Sequence, residues 1–339
     1  MLTLKPSEAK SIEQFFQLKE ENLLKVMYKF LSTKYKTVYC TKDYILAVGD
    51  IPVALVGHMD TVFATPPDNI FYDRIKNVMW SPDGLGADDR AGVYSIVQIV
   101  KQGLKPTVIL TTGEEKGAIG ASALIKAFPE PPTELKYIIE LDRRGSVDCV
   151  FYECANPEFE EYVEDFGFVT AWGTFTDISV ICPKWKIAGV NLSIGYEDEH
   201  SYIETLYIGH MLATIKKVIK MLNAAIELDK TFEYIPMPYD SYLAYANAYN
   251  SWYYPKDTKQ CIGCGIDDQD YNLFPVKSLE NNTVFLCADC FAIESDNIGW
   301  CKHCNEPFII NPKSQIKDYC YDCQEKGDLT PCEILYTKN

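Results

Sequence analysis

Five short segments of this 339-residue chain place acids, histidines and glycines where metal chemistry can be done: GHMDTV (57–62), GLGADDRAG (84–92), TGEEKG (112–117), ELDRRG (140–145) and EDEHSYIE (197–204). Each alone is a weak signal, because exposed acid pairs are usually solvated surface. A second set lies after residue 260, where eight cysteines form four C-x-x-C pairs: Cys261/Cys264, Cys287/Cys290, Cys301/Cys304 and Cys320/Cys323. Two-residue spacing lets both thiolates of a pair reach one tetrahedral zinc, and two pairs complete a four-thiolate site. Sequential pairing gives two zinc ribbons with two structural zinc ions; interleaved pairing is the alternative. A redox role competes poorly with four pairs so close together. The other five cysteines (Cys40, Cys149, Cys154, Cys182, Cys332) are scattered and odd in number, unlike a disulfide framework. The cysteine usage therefore fits a reducing compartment, the cytoplasm.

The elements that must position the first set are legible as apolar runs. Strands are expected at 44–49, 52–57, 107–112, 137–141 and through 187–195, and helices at 7–32, 90–102, 117–128, 156–166 and 204–228. Runs this apolar are covered on both faces. The expected fold is α/β: a doubly wound, mostly parallel sheet flanked by helices, followed by small zinc-ribbon-like modules. His58, Glu114-Glu115 and Asp142 each end or directly follow a strand, and ligands gather outside the carboxyl ends of the strands in such a sheet. Asp88 follows a glycine-rich turn, and His200 precedes the last long helix. A buried cluster of Asp88, Glu114, Glu115 and Asp142 without cations would suffer repulsion and desolvation. Two Zn²⁺ ions, three ligating carboxylates and a bridging hydroxide are formally neutral together, leaving Glu114 apart.

The ordered set HMDTV, GADD-x-AG, a Glu-Glu ending one strand, an Asp ending the next and a late His resembles the co-catalytic di-zinc exopeptidase superfamily. That superfamily includes zinc aminopeptidases, tripeptidase-like enzymes and acetylornithine-deacetylase-like hydrolases. The likeness spans roughly residues 50–205. It implies that His58 and Asp142 hold one metal, Glu115 and His200 the other, and that Asp88 bridges them. It implies a hydroxide bridging the zincs as nucleophile, Glu114 as general base and Asp60 orienting the His58 imidazole. It also implies a cis peptide after Asp88. The activity expected is hydrolysis of amide bonds, as an aminopeptidase or other exopeptidase on short peptides. An N-deacylase of N-acyl amino acids or a non-enzymatic adaptor that kept the fold are the alternatives. Zinc is the expected metal, with cobalt or manganese also compatible with mixed His/carboxylate sites.

The intervals between His58 and Asp88 (30 residues) and between Asp142 and His200 (58 residues) are too short for an inserted lid domain. Substrate contacts are correspondingly harder to assign. Arg143 and Arg144 are candidates for gripping a substrate carboxylate, with a structural ion pair as the alternative. Asp177 in GTFTDISV resembles a Thr-Asp turn near the family's crevice. His210 reads as a plain helix residue, and His303 lies between better ligands.

The expected organisation is a catalytic domain (1–232), a Tyr-rich linker (233–257) that buries its rings rather than stacking bases, and two zinc-ribbon-like modules (258–295 and 296–339). The formal net charge is −16, which argues against nucleic acid and anionic membrane surfaces as partners. Residues 255–339 hold 8 lysines and no arginine against 14 acids, a formal −6. The tail is therefore expected to contact protein, through a partner or a second copy. No apolar run is long enough to span a bilayer.

Overall fold

The computed structural model describes residues 5–237 and, further on, 273–277, 283–287, 291, 298–302, 307–310 and 318. The chain divides into two units, residues 1–242 and 243–339.

The first unit opens with helices α1 (Pro6–Phe16) and α2 (Glu20–Ser32), whose apolar residues recur every four positions: Ile12 and Phe16, then Leu23, Met27 and Leu31, all buried. Sequence periodicity runs through 7–32 without interruption, but the structure breaks it at 17–19. The Leu18 carbonyl accepts a hydrogen bond from Arg90 Nη1 and the Asp68 carbonyl accepts one from Gln17 Nε2, so tertiary partners claim the junction. Then come β1 (Thr37–Cys40), β2 (Tyr44–Val48), β3 (Ile51–His58), and the short strands β4 (Phe71–Asp73) and β5 (Val78–Trp80). Helix α3 (Ala87–Lys101), β6 (Pro106–Thr111), α4 (Ile119–Ala127), β7 (Tyr137–Arg143) and β8 (Asp148–Val150) follow. The unit closes with α5 (Pro157–Glu164), β9 (Val169–Thr170), α6 (Asp177–Trp185), β10 (Gly189–Ser193), β11 (Tyr196–Glu197), β12 (Thr205–Tyr207) and α7 (Ile208–Glu227).

Eight strands form one sheet in the order β1-β2-β6-β3-β7-β10-β8-β9. Its centre, β6-β3-β7-β10, is parallel, and β1, β2 and β8 add antiparallel pairs toward the edges. The order reverses at β3, with β6 on one side and β7 on the other, so the crevice belongs at the carboxyl ends of these three strands. One face of the sheet packs against residues of α1, α2, α3, α5 and α7, and the other against α4 and α6. Strands β3 and β6 are buried almost throughout because they have helices on both sides. Each buried Val, Leu or Ile contributes about 1.5–3 kcal/mol, which makes these strands the rigid frame for what projects from their ends. A second sheet, β11-β12-β5-β4, lies next to the 197–204 loop in sequence. Its strands of two or three residues are too short to read from alternation.

Residues after α7 stay with this unit: Phe232 is buried, and isolated bridges join Ile187 to Glu233 and Cys154 to Pro236. In the second unit, the described strands β13 (Leu273–Lys277), β14 (Thr283–Cys287), β15 (Ile298–Trp300) and β16 (Pro307–Ile309) form one sheet, ordered β14-β13-β16-β15. The β13–β16 pairing crosses the boundary expected at 295/296. Cys261, Cys264, Cys290, Cys304, Cys320 and Cys323 lie outside the described residues. Cys287 ends β14, and Cys301 is buried just after β15. Among the described residues no helix is long and apolar enough to cross a membrane.

Candidate metal centre

The carboxyl ends of β3 and β7 and the turn after β6 bring the expected residues together. His58 is the last residue of β3 and fully buried. Its Nε2 lies 3.0 Å from Asp88 Oδ1, 3.6 Å from Asp142 Oδ1 and 4.0 Å from Glu114 Oε2. His200 approaches from the 197–204 loop, in a left-handed backbone conformation at φ +63°. Its Nε2 lies 3.1 Å from Asp88 Oδ2 and 3.0 Å from Glu115 Oε1. Asp88 therefore gives one oxygen to each histidine, and each histidine has a second acid beside it. The ligand atoms of His58, Asp88 and Asp142 all lie within 4.8 Å of one another, as do those of Asp88, Glu115 and His200. The Asp88–Asp89 peptide is cis.

Burial dominates the electrostatics. It pushes the Glu114 carboxyl up to about 8, with Asp142, Asp177 and Glu115 adding to it against the pull of His58. Burial and then the Asp88 charge raise Asp142 to about 7. The flanking Asp88 and Glu115 carboxylates hold His200 up at about 11. His58 is driven well above its ordinary value by Asp142, Asp60 and Asp88, although burial opposes this. Asp88, drawn by both histidines against the effect of burial, is held far below the ordinary carboxylate range. Without cations, protons on the histidines and on Glu114 offset the buried negative charge. The donor set fits divalent metal: Glu115 Oε1 is buried without a hydrogen bond, 3.0 Å from His200 Nε2. Hard carboxylate oxygens mixed with imidazole nitrogens suit zinc and its neighbours in the first transition row.

The supports are as specific as the ligands. Asp60 accepts from the Glu114 and Glu115 amides at 3.2 and 3.3 Å, and its Oδ1 lies 3.3 Å from His58 Nδ1. Asp60 thus meets both the imidazole, whose Nδ1 also lies 3.1 Å from the Asp60 carbonyl oxygen, and the Glu-Glu turn. Asp142 accepts from Tyr196 Oη at 3.0 Å and from Thr176 Oγ1 at 3.1 Å. Glu204 accepts from the Gly86 amide at 2.6 Å and the Asp88 amide at 3.0 Å, fixing the glycine-rich turn from behind. Asp89 accepts from the His58 and Gly92 amides, tying α3 to β3. Neither Glu204 nor Asp89 stands out in the sequence, although both lie inside the quoted segments. The only signal of Asp89 is its place beside Asp88, and that of Glu204 its place four residues after His200. Glu140, two residues before Asp142 on the same face of β7, is fully buried with neither carboxylate oxygen hydrogen-bonded.

A crevice of about 360 Å3 opens over Asp88, Glu114, Glu115, Asp142 and His200. Arg143 and Arg144 line it, but each faces an acid of the chain itself: Arg143 Nη2 is 3.6 Å from Asp148, and Arg144 Nη1 is 3.2 Å from Glu199. Asp177 is fully buried and accepts a short hydrogen bond from Thr111 Oγ1, so it sits beneath the site rather than on the crevice wall. A larger cavity, about 520 Å3 and lined by Phe16, Leu24, Phe63 and Arg90 among others, contains none of the candidate ligands.

No protein-family model and no curated protein matches the chain in sequence. Solved structures do match its fold. An aminopeptidase PepT from Bacillus cereus superposes with a TM-score of 0.53 at 16% identity, covering 64% of this chain and 98% of that one. A tripeptidase from Staphylococcus aureus superposes with a TM-score of 0.54 at 14% identity, covering 65% and 98%. The chain thus shares the fold of an aminopeptidase and a tripeptidase, the α/β fold that the sequence resemblance implied.

Proposed function

We propose that the chain is a metal-dependent exopeptidase that hydrolyses the amide bonds of short peptides. The observation that carries this reading is the division of Asp88, one oxygen toward His58 and Asp142 and the other toward His200 and Glu115, beside Glu114. The fold shared with an aminopeptidase and a tripeptidase supports it. His58 and Asp142 would hold one cation, Glu115 and His200 the other, and Asp88 both. When bound, two divalent cations, zinc foremost, supply a water of lowered pKa and a Lewis acid for the scissile carbonyl.

The chain's own residues do the rest. Asp60 fixes the imidazole and the Glu-Glu turn, so that Glu114 faces the crevice at a set distance from His58. Glu114 accepts the proton of the attacking water and returns it to the leaving amine. Positive charge at the centre lowers its pKa from the metal-free value of about 8 toward the range in which it is an ionised base. In the second unit, the four C-x-x-C pairs hold two structural zinc ions, and that unit serves contact with protein, a partner or a second copy. Reduced thiols in such number fit a cytoplasmic protein.

The test is a panel of aminoacyl amides, dipeptides and N-acetyl amino acids, with zinc, cobalt and manganese supplied separately. Cleavage of the peptides and amides is expected, and cleavage of the N-acyl amino acids alone would make the enzyme a deacylase. Glu114→Ala is expected to lower kcat by about 10²–10⁴ while the catalytic half keeps its metal. Near-normal turnover in that variant would remove Glu114 from the role of base.

A further inference from the structure

The second sheet, β11-β12-β5-β4, turns one face to the core and the other to solvent. Residues paired across a sheet share a face. The row Tyr196–Leu206–Met79–Tyr72 points inward, and its first three members are buried. The rows on either side of it, Glu197–Thr205–Trp80–Phe71 and Tyr207–Val78–Asp73, point outward. Phe71, Trp80 and Tyr207 are exposed there, and the Phe71 and Trp80 rings stack with centroids 4.8 Å apart. Single exposed apolar side chains are ordinary, but a clustered set marks a contact surface.

Charge is divided across this face. The β4–β5 hairpin has Arg74, Ile75 and Lys76 at its tip, all exposed, with Ile75 at 90%. The β11–β12 hairpin begins its loop with Glu197 and Asp198 and carries Tyr202 and Ile203, exposed at 69% and 72%. The first tip leaves the sheet beyond the Val78–Asp73 pair, the second beyond the Glu197–Thr205 pair. Because Tyr207 pairs with Val78 and Thr205 with Trp80, these are opposite ends of the sheet. One end is therefore cationic and the other anionic, each with apolar side chains beside the charges.

We propose that this face docks a second copy of the chain, forming an isologous dimer. Its two-fold axis lies in the interface and crosses the line that joins the two tips. That operation sets the Arg74–Lys76 tip of each copy against the Glu197–Asp198 loop of the other, and lays the aromatic rows on one another. Burial of Phe71, Trp80 and Tyr207 supplies the attraction, and the paired charges at the rim fix the register. A partner of uniform charge would meet like charge at one tip, whereas a second copy meets opposite charge at both. His200 lies two residues beyond Asp198, so the contact includes the loop that carries it. The inference goes beyond the exopeptidase reading and does not rest on it.

Sedimentation equilibrium of the full-length, metal-loaded protein over a wide range of concentration gives the dimer Kd. Trp80→Ser should raise it by about 30-fold or more. Arg74→Glu with Lys76→Glu should raise it by about tenfold or more, as should Glu197→Lys with Asp198→Asn. Asparagine suits the left-handed φ of +56° at position 198. The decisive result is rescue. An equimolar mixture of the two charge variants, or one chain carrying all of these charge changes, should dimerise nearly as tightly as the parent chain. An unchanged Tm in each charge variant shows that only the contact has been altered. A chain that stays monomeric at every concentration overturns the proposal. So does a dimer whose Kd none of the variants moves, since another surface would then hold it. Loss of the dimer in the charge variants, restored neither by mixing nor by combination, overturns it as well.

Discussion

Asp88 shares its carboxylate between two histidines, and that makes the protonation of the whole cluster interdependent. In the metal-free protein His200 is held up at about 11, so at neutral pH it carries a proton that an incoming cation must displace. Asp142 at about 7 and Glu114 at about 8 release theirs in the same range. Raising the pH removes this competition, so metal affinity should rise from pH 6 to pH 9, by about tenfold per unit for each proton displaced. Competition with a chelating dye at several pH values checks this, and a flat profile would contradict it. Glu204 acts through the backbone rather than on substrate. Glu204→Ala would leave the Gly86 and Asp88 amides without their partner, and is expected to weaken metal binding by about 10–100-fold. Glu204→Gln keeps one acceptor and should recover part of the loss, which a general loss of stability would not predict. The acids and histidines that meet at the site were legible because their residue types are rare in such placements. Glu204 and Tyr196 were not, since a supporting hydrogen bond can come from many residue types at many positions in the chain.

At the level of elements, the strands that carry the site were readable because burial on both faces leaves them almost wholly apolar. Elements whose existence depends on tertiary partners were not. The break between α1 and α2 follows from Arg90 and Asp68, and α6 contains Pro183, which disguises its periodicity. The two- and three-residue strands of the second sheet hold no pattern at all. Close packing of α3 on β7 is set by Gly92: a Cβ there would lie 2.0 Å from the Leu141 carbonyl oxygen and 2.3 Å from Asp89 Oδ1. Gly92→Ala is therefore expected to cost about 3 kcal/mol or more, seen as a lowered Tm in the metal-free protein. An unchanged Tm would mean that α3 can shift without disturbing Asp88 and Asp89.

For the whole molecule, the residues that meet at the site were legible one by one in the motif-bearing half, while the second unit was read through its cysteines alone. The hairpin of β13 and β14 was missed, because Pro275 lies inside β13 and the cysteine pairs dominate the surrounding sequence. If two four-thiolate sites complement a two-metal centre, the purified chain holds four zinc ions. Replacing both Cys261 and Cys264 with serine should reduce the count to three by elemental analysis, because one remaining pair of thiolates cannot close a tetrahedral site. An unchanged count would show that this pair binds no metal.

The side chain of His200 is half exposed on a loop, whereas that of His58 is sealed at the end of a central strand. The two halves of the centre are thus unequal in kinetic lability. An ion held by Glu115 and His200 would be released by a loop fluctuation, and should exchange with bulk solution faster than one held at His58 and Asp142, whose departure would require the sheet itself to loosen.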